Sequence, residues 1–189
     1  DSHFKIYVSE TSSTPYSTIY PAGSIFHQNF PHTGGAYTPS TYLGAYATGR
    51  VTVDLAAGNT GIKKPLIIVE GFDPTNTFNF TDILTDQVGG LGIAFNSTTL
   101  FHELHYVEGY DIVFLNFNNS TTYIQRNAYL LQEVIKWVNA EKVVNNSTAK
   151  NKVMGISMGG LVARYALSDM EDRNINHGTD LYISMDTPH

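Results

Sequence analysis

The chain has no cysteine and a single tryptophan, and only 15% of its 189 residues are charged. The missing cysteine excludes disulfides, thiolate metal sites and a cysteine nucleophile together. Lys and Arg number 11 against 17 Asp and Glu, and they are scattered rather than clustered. A nucleic-acid partner is therefore not expected, since binding to phosphate calls for a basic patch. No apolar run approaches the length of a transmembrane helix, so no membrane span is expected. No leader is legible in the opening Asp1-Ser2-His3-Phe4-Lys5, although a processed N-terminus would read the same way. What is present in quantity is Tyr, Thr, Ser and Asn, with few Lys. This surface chemistry reads as secreted or cell-envelope. Asn79, Asn96 and Asn118 head Asn-x-Ser/Thr sequons, but such triplets arise readily by chance in an Asn- and Thr-rich chain. The hydrophobic fraction of 42% is enough for one real core.

The first sixty residues differ from the rest. They hold short alternating stretches such as Lys5-Ile6-Tyr7-Val8 among Tyr, Thr, Ser, Gly and Pro, and read as strands and turns. Ala47 to Leu55 alternates and is expected to be a strand, followed by a turn over Ala56 to Gly61. From Pro65 the pattern changes. Leu66 to Val69 is a short continuous apolar run that suits a strand buried on both faces, Asp111 to Phe117 is a second, and Lys152 to Ile156 and Leu181 to Met185 read as a third and a fourth strand. Asn127 to Val138 carries Ala128, Leu131, Val134, Ile135 and Val138 at helical spacing, and Gly159 to Ser168 reads as a second helix. Asn145 to Asn151 is a polar loop. Strands alternating with helices predict an α/β fold with a mainly parallel sheet and right-handed crossovers. The expected organisation is a β-rich extension over residues 1–60 and an α/β domain over 61–189.

Gly155-Ile156-Ser157-Met158-Gly159 matches Gly-x-Ser-x-Gly. The bare pattern is weak, but it lies between a predicted buried strand and a predicted helix, where a nucleophile elbow must be. The tight turn needs small residues on either side, which Gly155 and Gly159 supply, and it projects the Ser157 oxygen above the sheet. The alternative is a Gly-rich turn with an idle serine. An acyl-transfer site also needs oxyanion donors. The backbone N–H of Met158 is one candidate. Glu70-Gly71-Phe72-Asp73-Pro74 follows an apolar strand, where Gly71 would permit an unusual backbone and the Phe72 N–H would supply the other donor. An ordinary strand-capping turn is the alternative for that loop.

The segments KPLIIVEGFDP, GYDIVFLNF, IQRNAYLLQEVIKWVN, VMGISMGGLVARYAL and LYISMDTPH occur in that order. Together they resemble the lipase/esterase branch of the α/β-hydrolase superfamily, in particular secreted bacterial proteins, from about Lys64 to His189. The resemblance implies a serine hydrolase acting on a small-molecule or lipid ester without a cofactor or metal, and a helix after the elbow that buries Leu161, Val162 and Ala166. Glu70 stands where a His precedes the oxyanion Gly in the commoner motif. Triads of this fold run Ser, acid, His in chain order. After Ser157 the acids are Asp169, Glu171, Asp172, Asp180 and Asp186, and the histidines are His177 and His189. In the family the DTPH segment precedes the strands that carry acid and base. The resemblance thus implies the N-terminal part of a hydrolase, whose C-terminal remainder would be a partner, with little turnover expected from these residues alone. Asp186 is a weak candidate for the acid and His189 a weaker one for the base.

Other groups compete for attention. His102-Glu103-Leu104-His105 is one residue short of the zinc-protease spacing and reads as the polar face of a helix. Phe78, Phe80, Phe95 and Phe101 suit either an apolar cover for a substrate or, better, a helix packed on the sheet. Arg164 and Tyr165 read as helix packing and solubility, and Trp137 as partly buried on its helix. Besides ester hydrolysis, the same motif would serve an amidase, thioesterase or acyltransferase, and the same fold a non-catalytic binding or scaffold module.

Overall fold

The apolar runs Leu66 to Val69, Asp111 to Phe117 and Lys152 to Ile156 become strands covered on both faces, whereas Leu181 to Met185 becomes an edge strand with no buried residue. The structure, a computed structural model, describes residues 22–32, 39–78, 80 and 103–188. Its strands are β1 (Ile25–Phe30), β2 (Gly49–Asp54), β3 (Pro65–Val69), β4 (Asp111–Phe117), β5 (Asn151–Ile156) and β6 (Thr179–Met185). They form one six-stranded sheet in the order β1-β2-β4-β3-β5-β6. The strands from β4 to β6 in that order run parallel, and β1–β2 and β2–β4 are antiparallel. Two strands from the first sixty residues thus belong to the same sheet as the rest. The predicted strand at Lys5 to Val8 lies outside the described residues.

Val53, Val113, Ile67 and Val153 stand in register across four adjacent strands and are fully buried. They point to the face covered by α1 (Ile124–Val144) and α2 (Met158–Asp172), where Leu131, Ile135, Val138, Val162 and Ala166 meet them. Residues of opposite parity, Leu66, Ile68, Ile112, Phe114 and Met154, form a second cluster on the other face with Phe80 and Leu104. Period-two alternation on a sheet covered from both sides yields strands apolar at nearly every position.

Both helices are longer than their apolar periodicity predicts, because polar contacts hold their last turns. Lys142 Nζ donates to Asn151 Oδ1 at 2.6 Å and to the Ala149 carbonyl at 2.9 Å. Gln132 of α1 donates to Asp169 Oδ2 of α2 at 2.8 Å, and Arg173 donates to Gln132 Oε1 at 2.6 Å. The turn between β2 and β3 is fixed by one buried carboxylate. Asp111 accepts the backbone N–H groups of Ala56, Lys63 and Lys64 and the Asn59 amide, all within 3.0 Å. Trp137 is more buried than expected, edge-on to Phe30 with ring centroids 5.6 Å apart.

His105 corrects one expectation. It is not on a polar helix face but buried in a π-helical turn, Glu103–Val107. Its Nδ1 lies 2.8 Å from the Tyr110 carbonyl and its Nε2 3.5 Å from Asp54 Oδ1. Burial pulls its pKa down, but the Asp54 and Tyr110 hydrogen bonds outweigh that and raise it. His102 lies outside the described residues, and no cluster of metal-ligating side chains occurs among the described ones. No described helix is long and apolar enough to cross a membrane.

Candidate active site

Parallel strands end at one edge of a sheet, and in open α/β sheets that edge carries the ligand site. Here β5 ends at Ile156 and α2 begins at Met158, so the whole turn is Ser157. Its backbone sits at φ 52° and ψ −124°, a region that residues with a Cβ rarely occupy. The chain reverses within one residue, and the half-buried Ser157 side chain is left at the sheet edge. The Ser157 N–H donates to the Met185 carbonyl at the end of β6, 2.8 Å away.

Three glycines make this turn possible, each for lack of space. A Cβ on Gly155 would lie 2.4 Å from the Gly160 backbone, so strand and helix touch there. A Cβ on Gly159 would lie 2.3 Å from the Glu70 carbonyl oxygen, which packs α2 directly on the end of β3. A Cβ on Gly160 would lie 1.9 Å from Thr187 Oγ1. The need for Gly160 was not read from the sequence. The signal was the second glycine of GISMGG, but its partner, Thr187, is remote in the chain.

The loop after β3 reaches the same place. A Cβ on Gly71 would lie 3.0 Å from the Ile156 carbonyl oxygen and 3.1 Å from the Ser157 Cβ. The expected reason for this glycine needs correction: Gly71 is not among the residues of positive φ, and what it supplies is closeness to Ser157. The next residue, Phe72, has an exposed side chain. No described residue accepts a hydrogen bond from the N–H of Phe72 or Met158.

A polar network behind the loop fixes its path. Glu70 is buried and accepts from the Phe117 N–H through Oε1 and from Asn116 Nδ2, at 2.7 Å, through Oε2. Asn116 also donates to the Phe78 carbonyl at 2.8 Å. Burial raises the Glu70 pKa to about 7, against the pull of those hydrogen bonds. The Asp73 N–H donates to the buried Ser120 hydroxyl, and Asp73 Oδ2 accepts from the Phe78 N–H at 2.7 Å. Burial pushes the Asp73 pKa up, but hydrogen bonds from Phe78, Thr77 and Thr75 outweigh it and leave the carboxyl below its ordinary value. Asn116 and Ser120 carried no sequence signal, because their roles depend on β4 lying beside β3.

The sheet edge thus brings Ser157, Met158, Gly71 and Phe72 together. It does not bring a described histidine to them. His27 on β1 bonds to Thr52, and His32 stands beside Phe30. His105 and His177 lie at the opposite edge, near the starts of β4 and β6. Asp186 follows β6, exposed and at φ 50°; His189 lies outside the described residues. In α2, Val162 and Ala166 are fully buried, whereas Leu161 and Tyr165 are half-buried and Arg164 is exposed. Phe80 packs on Phe114 with ring centroids 6.3 Å apart and Phe78 is exposed, while Phe95 and Phe101 lie outside the described residues.

No protein-family model and no curated protein sequence matches the chain. Solved structures do. An esterase of Pyrobaculum calidifontis is 14% identical, with a TM-score of 0.51 over 86% of this chain and 44% of that one. A fungal esterase of Rhizomucor miehei is 12% identical, with a TM-score of 0.52 over 86% and 44%. An ester hydrolase from the metagenome of Lake Arreo is 11% identical, with a TM-score of 0.51 over 90% and 46%. The chain therefore spans less than half the length of the esterases it matches. With this sheet order, this strand–serine–helix turn and these neighbours, the chain has the α/β-hydrolase fold.

Proposed function

We propose that the chain carries the nucleophile and the oxyanion donors of a serine hydrolase acting on carboxylic esters. The observation that supports this most is the backbone of Ser157. A serine at φ 52° between two strand–helix contacts that admit no Cβ is costly, and such strain collects at functional sites. An idle serine in that turn would give way to glycine at no cost.

In this reading the Ser157 hydroxyl oxygen attacks the ester carbonyl and gives its proton to a general base. The carbonyl oxygen becomes an oxyanion that accepts the N–H groups of Met158 and Phe72. Collapse of the tetrahedral intermediate breaks the ester bond, the base returns the proton to the leaving alkoxide, and the acyl group stays on Ser157. Water activated by the same base then releases the carboxylic acid and restores the hydroxyl. The general base and its orienting acid are supplied from outside the described residues, consistent with a chain that spans under half of its structural neighbours. Glu70 positions the Phe72 N–H by tying the end of β3 to β4.

A fluorophosphonate probe tests this on the full-length polypeptide carrying these residues. The expected result is one covalent adduct on the peptide containing Ser157, absent in Ser157→Ala. No adduct, or an adduct that persists in Ser157→Ala, would overturn it and favour a non-catalytic module. Relative kcat/KM for matched ester, amide and thioester substrates, with the partition of the acyl group between water and an added alcohol, separates an esterase from an amidase, thioesterase or acyltransferase.

A further inference from the structure

A second feature lies on the flank of the helix layer. The start of α1 and one stripe of α2 enclose a groove of about 870 Å³, open to solvent. Its α2 wall is Leu161, Arg164, Tyr165 and Ser168, residues spaced to share one helix face. It begins one helical turn beyond Ser157.

The lining has two kinds of surface. Tyr123, Ile124, Leu161 and Tyr165 supply apolar and aromatic area, and Arg126 and Arg164 supply two guanidinium groups. No Asp or Glu is among the lining residues, although acids outnumber bases by 17 to 11 in the chain. Arg126 is held in place: Nε donates to the Tyr42 carbonyl at 3.0 Å, Nη1 to Thr122 Oγ1 at 3.1 Å, and the guanidinium lies over the Tyr123 ring. Its Nη2 has no partner among the described residues. Arg164 is exposed and forms no ion pair with a described residue. The volume falls in the range of small-molecule sites, which pair apolar walls with a few fixed polar groups. A guanidinium fork matches the two oxygens of a carboxylate.

We propose that this groove binds an organic carboxylate with an apolar body, its head between Arg126 and Arg164 and its body on Leu161, Ile124 and the two tyrosines. The inference stands on charge complementarity and shape and does not rest on acyl chemistry at Ser157. If Ser157 does hydrolyse esters, the released acid belongs to the same class as the groove's ligand.

The test is calorimetric titration with octanoate, octan-1-ol and inorganic phosphate, on wild type, Ser157→Ala and Arg164→Glu. Octanoate should bind one to one in wild type and in Ser157→Ala alike. Arg164→Glu, on an exposed helix position, should keep its circular dichroism and bind octanoate at least tenfold more weakly. Octan-1-ol and phosphate should each bind at least tenfold more weakly than octanoate, because each offers only half of the recognition. Absence of octanoate binding, equal affinity in Arg164→Glu, or equal affinity for octanol or phosphate would overturn the proposal.

Discussion

The N–H of Ser157 donates to the carbonyl of Met185 at 2.8 Å, so the turn that presents the serine is braced by the end of the neighbouring parallel strand. The brace explains how a residue with a Cβ is kept at φ 52°. One side of the turn is fixed by β6, another by the contact of Gly159 with the end of β3, and the floor by Gly155 against Gly160.

That strain has a measurable consequence. Ser157→Gly should stabilise the fold by about 1 kcal/mol, because glycine adopts positive φ without the steric cost. Ser157→Ala keeps a Cβ and should leave stability nearly unchanged. Chemical denaturation of the three proteins checks the order. A glycine variant no more stable than wild type would mean that the turn is unstrained.

The glycines around the turn should differ in how they can be rescued. Gly155→Ala places a Cβ against backbone and should cost roughly 3 kcal/mol or more, with no side-chain change able to relieve it. Gly160→Ala clashes chiefly with the Thr187 side chain. Combining it with Thr187→Gly should recover much of the loss. A double-mutant cycle measures the coupling, expected at about 1–3 kcal/mol.

The proposed oxyanion role of the Phe72 N–H can be tested without touching a side chain that packs. Phe72→Pro deletes the N–H, whereas Phe72→Ala keeps it. Fluorophosphonate labelling of the full-length polypeptide should slow by roughly 10²–10³ in the proline variant and by far less in the alanine variant. Equal rates would exclude Phe72 as a donor.

The contribution of the buried carboxyls Glu70 and Glu141 to stability should fall as pH rises from about 4 to 8. Glu141 is buried in the last turns of α1, and desolvation raises its pKa from 4.5 to about 7. Below 4.5 the carboxyl is neutral in both folded and unfolded chains and costs nothing. Between 4.5 and about 7 the unfolded chain loses the proton first, so stability declines, by at most about 3 kcal/mol for this group. Glu70 acts in the same direction for the same reason. His105, whose pKa is raised by Asp54, stabilises the fold below 6.5, and that contribution is also lost with rising pH. Glu141→Gln should flatten, but not abolish, the decline. Melting temperatures from pH 4 to 8 give the two slopes, and equal slopes would mean that Glu141 is hydrated in the fold.

The sequence by itself determined the kind and place of most elements. Apolar runs such as Leu66 to Val69 and Asp111 to Phe117 became buried strands within a residue or two of their expected limits, and the Gly-x-Ser-x-Gly turn fell at a strand–helix junction. These features are local: side-chain periodicity and the steric freedom of glycine act over a few residues. Only the tertiary structure decided which strands are neighbours. The insertion of β4 between β2 and β3 turned Asp111 into the clamp of a distant turn and set Asn116 beside Glu70. It also buried His105 against Asp54, where the local pattern suggested a solvated face. Gly71 meets Ser157 because β3 and β5 pair in parallel and end together. Pairing energies depend on what lies across the sheet, and no stretch of sequence carries that information about its partner.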